Sequence, residues 1–177
     1  MMDHSDYSIQ LDPETKMYCT LYLFKNVQNT AELRKKVMSG DLACCILKPT
    51  YIVDPFQVVI AANKAILNEN SNQLITKSKF TEVLFYLSLT KNISKSLSDF
   101  GVSDDDKNIL IVTIHKEDER ESILKRIVED IKGEKVTLEV LKEFTNLELA
   151  RKYYKVDLEE LNVSNFTDSI ISKMKIK

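Results

Sequence analysis

The 177-residue chain is 44% hydrophobic and 29% charged, which gives it enough apolar content to build a core and excludes a disordered chain. Its 25 Lys and Arg against 27 Asp and Glu argue against a strongly basic nucleic-acid module. Three glycines, scattered at 40, 101 and 133, exclude the clustered-glycine loops that let backbone approach a nucleotide phosphate.

Met1 to Ile9 is polar and holds no leader-like apolar stretch, and residues 1–8 are expected to fray. Cys19, Cys44 and Cys45 are an odd set, so a reducing compartment is expected: cytoplasm, nucleus or both. No apolar run approaches the roughly 20 residues of a membrane span.

In chain order, Met17 to Phe24 is rich in aromatic and branched residues and predicts a strand. Asn29 to Ser39 predicts a helix, with Leu33 and Val37 on one face and Gly40 at its end. Ala43 to Leu47 predicts a short buried strand closed by Pro49. In Asp54-Pro55-Phe56-Gln57, Asp54 suits the N-cap, Pro55 the first helical position, and Gln57 can reach back to the cap. Val58, Ala62, Ala65 and Ile66 then form one stripe to about Asn68.

Phe80, Val83, Leu84 and Leu87 follow helical spacing. Asn92 to Phe100 is a second short helix, capped by Asn92 or Ser94 and ended by Gly101. Ile109 to Ile114 is a continuous branched run, the pattern of a central strand. Glu119 to Ile131 predicts an amphipathic helix and Lys135 to Leu138 a brief strand. Asn146 to Tyr154 and Asn165 to Lys175 predict further helices. Helices cluster between few strands, so the expected class is α+β, a two-layer single domain over 1–177 with a small mixed sheet.

Catalytic chemistry is poorly supplied. His4 sits in the terminus, and His115 reads as a surface residue closing a strand. Neither stands at zinc spacing from a cysteine, and Asp104 to Asp106 lacks the downstream Glu and turn Gly of a calcium loop. No catalytic residue, metal, cofactor or small-molecule substrate is expected.

Lys48 to Ala65, KPTYIVDPFQVVIAANKA, resembles the signature of the PRPK-binding protein (TPRKB) family. The likeness continues through Thr81 to Val102 and Asn108 to Ile114, with Phe24 to Val27 and Leu33 to Lys36 fitting the first strand and helix. It weakens at Asn68 to Lys77 and His115 to Thr145. The resemblance implies a two-layer α+β, non-catalytic subunit of the EKC/KEOPS complex. Such a subunit binds the N-lobe of an atypical, PRPK-like kinase and stimulates its ATPase. That complex supports threonylcarbamoyl adenosine modification of tRNA, and archaeal relatives grip the tRNA 3′ end.

Ile93, Leu97 and Phe100 share one side of a short helix and are the expected kinase contacts. Asn63 and Lys64 fall off the apolar stripe and are the expected tRNA contacts. Arg34 and Lys36 would extend that surface if the first helix packs nearby. A stand-alone tRNA 3′-end binding module is the alternative reading, and a small hydrolase or transferase the third.

Overall fold

The computed structural model describes residues 6–161, 165–175 and 177; His4 and residues 1–5 lie outside that range. Its strands are β1 (Tyr7–Gln10), β2 (Tyr18–Lys25), β3 (Cys45–Leu47), β4 (Ile109–His115) and β5 (Glu134–Val136). The helices are α1 (Thr30–Ser39), α2 (Pro55–Asn70), α3 (Lys79–Leu87), α4 (Ile93–Phe100) and α5 (Arg120–Asp130). Four more follow: α6 (Leu141–Phe144), α7 (Leu147–Tyr153), α8 (Leu158–Leu161) and α9 (Phe166–Lys175).

The strands run β1-β2-β4-β3, and β5 also pairs with β2. Every pairing is antiparallel, so the sheet is not the mixed one expected. β4 lies along β2 from Tyr18 to Phe24, so β1 and β5 must share the other edge. Tyr7 and Ser8, expected to fray, belong to β1, because they pair with Leu21 and Thr20.

Side chains alternate across the pleat. Cys19, Leu21, Leu23, Cys45, Leu47, Leu110 and Val112 join the core under α2, α3 and α9. Tyr22, Phe24, Cys44, Ile46, Ile109 and Ile111 join a second core, closed by Leu33 of α1 and Ile127 of α5. The α+β class is as expected, but there are three layers rather than two. The unbroken apolar run of β4 is the cause: all seven residues are buried, which takes a cover on each face.

The α2 start follows its sequence signal. Asp54 Oδ1 accepts from the Phe56 N–H at 2.8 Å, with Pro55 in the first turn. Gln57 reaches past the cap: its Oε1 accepts from the Val53 N–H at 3.0 Å, and its Nε2 donates to Tyr51 O and the Tyr154 hydroxyl. Gln57 is fully buried, so both ends of its amide need partners.

His115 is not on the surface. β4 runs one residue further than its branched stretch, and His115 turns into the second face, 1% exposed and stacked on Tyr18. Nδ1 lies 2.6 Å from the Lys116 carbonyl, which can only accept, so Nδ1 carries the proton. Nε2 then accepts from the Thr20 hydroxyl at 2.7 Å, and Thr20 Oγ1 lies 2.8 Å from Ser8 Oγ.

Candidate partner-binding surfaces

Asn92 caps α4 by accepting the Lys95 N–H at 3.0 Å, and Gly101 ends it with its N–H on Leu97 O. Phe100 is fully buried against Tyr51, Tyr153 and Tyr154, so it is core and not a docking contact. Leu97 is half-buried on the same core, and Ile93 is exposed. The three do share a face, but α4 tilts that face inward towards its C-terminal end.

α7 lies beside α4. The Tyr153 hydroxyl donates to Asp99 Oδ2 at 3.1 Å, and Tyr153 stacks on Tyr51 at 4.7 Å. The same helix leaves Leu147 and Leu149 exposed. Sequence reasoning missed them: Leu147 shares the helical spacing of Ala150 and Tyr154 and is exposed as the first residue of α7, whereas Leu149 falls off that line.

The expected basic surface does not form as one patch. Asn63 and Lys64 ride on α2 over the first face, whereas Arg34 and Lys36 ride on α1 over the second. Asn63 Oδ1 already accepts the Asp12 N–H at 2.8 Å, tying α2 to the β1–β2 turn. Arg34 meets Asp104 at 2.5 Å, and Lys36 meets Asp130 at 3.1 Å and Glu32 at 3.5 Å. The Asp130 hydrogen bond pushes the Lys36 ammonium pKa up.

Lys64 has different company. Its Nζ stands 5.9 Å from the Tyr86 ring centroid, Lys79 stands 5.4 Å from Phe80, and Lys177 stands 3.5 Å from Phe85. Three ammonium groups thus sit over rings of α3. Only Lys79 is near these rings in sequence; Lys64 comes from α2 and Lys177 from beyond α9, so no local pattern announced the cluster. Lys177 also donates to the Phe85 carbonyl and to Ser88 Oγ, and burial pulls its pKa down to about 8.

Beneath the rings, buried Glu82 accepts from the N–H groups of Ile75 and Thr76 at 2.8 and 2.5 Å. Asn68 Nδ2 donates to Glu82 Oε2 at 3.2 Å and to the Tyr86 hydroxyl at 2.8 Å. This network fixes the α2–α3 loop and the tilt of Tyr86.

Among the described residues no group of three His, Cys, Asp or Glu could hold a metal ion. No helix among them is long and apolar enough to cross a membrane. All three thiols are buried, and burial pushes Cys19 and Cys44 up to about 12.

Residues 24–177 match the family described as kinase binding protein CGI-121. The chain is 33% identical over 158 residues to the EKC/KEOPS complex subunit TPRKB of Danio rerio, covering 89% of this chain and 90% of that protein. It is 29% identical to the EKC/KEOPS complex subunit CGI121 of Eremothecium gossypii, over 86% of this chain and 89% of the relative. The cgi121 subunit of Schizosaccharomyces pombe is 26% identical over 96% of this chain and 97% of its own. The molecule is of the kinase-binding class. The chain belongs to the CGI-121 family, of which TPRKB is the vertebrate relative compared above.

Proposed function

We propose that this chain is a non-catalytic subunit of an EKC/KEOPS complex, present in cytoplasm and nucleus, that docks on and stimulates the complex's atypical kinase. Through that kinase it supports threonylcarbamoyl adenosine modification of tRNA. The family match over residues 24–177 carries this reading. The docking surface is the α4 side, with exposed Ile93 and half-buried Leu97, continued by Leu147 and Leu149 of α7. Exposed apolar side chains on the neighbouring helices α4 and α7 suit a protein partner. Phe100 supports the helix from beneath.

The test is kinase affinity of Ile93→Asp and Leu97→Asp variants, with folding checked by circular dichroism. Interface anchors cost about 2 kcal/mol or more when lost, so affinity should fall roughly thirtyfold. Folded variants with unchanged affinity would remove α4 from the interface. ATP turnover by the pure chain that His115→Ala abolishes would overturn the non-catalytic reading.

A second reading, compatible with the first, is contact with the tRNA 3′ end. The observation behind it is the set of lysines over the rings of Phe80, Phe85 and Tyr86. Such a surface offers charge to phosphate and faces to unstacked bases. With a net charge of −2, binding by this chain alone should be weak and steeply salt-dependent. Lys64→Glu should weaken tRNA binding with fold and kinase affinity intact, and trimming the 3′ end should do the same. Equal binding by wild type and Lys64→Glu at matched salt removes this site.

A further inference from the structure

β1 and β5 share one edge of β2 without meeting. Tyr7 pairs with Leu21 and Val136 with Leu23, which leaves Tyr22 at the seam between them. A cavity of about 150 Å³ opens there, lined among others by Asp6, Tyr7, Tyr22, Lys135, Thr137 and Leu138. That is several times the roughly 30 Å³ share of one water molecule.

The lining is charged. The Asp6 side chain is 6% exposed, and its Oδ1 accepts from Lys135 Nζ at 2.8 Å. Its Oδ2 faces the Arg120 guanidinium at 3.6 Å. Two cations therefore share one carboxylate, a surplus of one positive charge. Lys135 Nζ also stands 5.8 Å from the Tyr22 ring centroid.

Tyr22 is 1% exposed; its hydroxyl oxygen faces the Arg120 guanidinium, which opposes the rise in its pKa, and its own proton has no acceptor among the described residues. A buried hydroxyl whose proton has no acceptor is costly. Burial raises its pKa, so it stays a donor at neutral pH. The seam thus gathers an ammonium, a guanidinium, a phenol and one carboxylate, with Thr137 on its wall.

We propose that this seam binds a phosphate group that carries a proton, as free hydrogen phosphate or as a compact phosphomonoester. The cationic surplus and the Tyr22 donor suit an oxyanion. The Asp6 carboxylate, an acceptor only, sets the selectivity. It repels an oxyanion with no proton, such as sulfate, and accepts a hydrogen bond from a P–OH. The site lies outside the α4 and Lys64 surfaces, so it stands or falls apart from kinase or tRNA binding.

The experiment is thermal unfolding of the full chain at constant ionic strength and at pH 5.5, below the second pKa of about 6 where a phosphomonoester keeps one proton, in inorganic phosphate, glycerol 2-phosphate, sulfate or chloride. Phosphate at 100 times its dissociation constant should raise the folded-to-unfolded ratio about 100-fold, and sulfate and chloride should not. A response to glycerol 2-phosphate as well assigns the site to monoesters; a response to inorganic phosphate alone assigns it to the free ion. Tyr22→Phe should bind phosphate about tenfold more weakly while folding at least as stably without it. Lys135→Met should lose the response, and Tyr22→Phe keeps the test valid if that variant folds poorly. Equal stabilisation by sulfate, an unchanged phosphate response in Tyr22→Phe, or no saturable response to either phosphate would each overturn the proposal.

Discussion

Gln57 and Tyr154, 97 positions apart, share a hydrogen bond of 2.9 Å inside the core. The Tyr154 hydroxyl passes its own proton on to the Leu87 carbonyl at 2.6 Å. One phenol therefore joins the start of α2, the end of α3 and the end of α7.

Tyr154→Phe should destabilise the fold by about 1–3 kcal/mol, because it strands the Leu87 carbonyl in a place water does not reach. Gln57 keeps its bond to Tyr51 O, so the loss should stay near that range. Urea denaturation measures it, and an unchanged midpoint would refute this role for the phenol.

His115 makes stability depend on pH. Burial lowers its folded pKa below the ordinary 6.5, helped by the Arg120 charge and opposed by the Lys116 carbonyl and Glu119. The unfolded chain then takes up the proton first as pH falls. Stability should be full above pH 6.5 and drop from there down to the folded pKa. The urea midpoint should decline between pH 7 and 5 in wild type and less steeply in His115→Gln. Parallel profiles would contradict the buried neutral ring.

Gly101→Ala should cost about 1–3 kcal/mol. A Cβ there would stand 2.4 Å from the Leu97 carbonyl oxygen, which cannot swing away because it already accepts the Gly101 N–H. A lowered thermal midpoint with native circular dichroism is expected.

The three thiols should resist Ellman's reagent in the native protein and react together on unfolding. Each is at most 2% exposed, and burial pushes Cys45, like the other two, well above the ordinary thiol range. Prompt labelling of one thiol in the folded state would show an opening of the sheet that this packing does not allow.

Much of the fold was legible where one short-range rule decides the outcome. Asp54-Pro55 marked the start of α2, Asn92 and Gly101 bounded α4, and Ile109 to Ile114 announced the inner strand. The same run also implied a cover on each face, which the two-layer expectation left out. The rest depends on pairings distant in sequence. Tyr7–Gln10 has a polar look and becomes a strand only because β2 has a free edge beside it. His115 is buried by its register with Tyr18. Arg34 and Lys36 part from Lys64 because α1 and α2 cross to opposite sides of the sheet, which no local pattern encodes.

The pairing of β2 with β4 also sets a schedule for synthesis. Thr20 and His115 meet across 95 positions. At about 5–20 residues per second, β2 waits roughly 5–20 s on the ribosome for its longest partner. Until then it has only the short β1 hairpin against it, and Tyr18 to Phe24 presents a bare, sticky edge to the crowded surroundings. The nascent chain is most exposed to misassociation in that interval, before the second half of the protein exists.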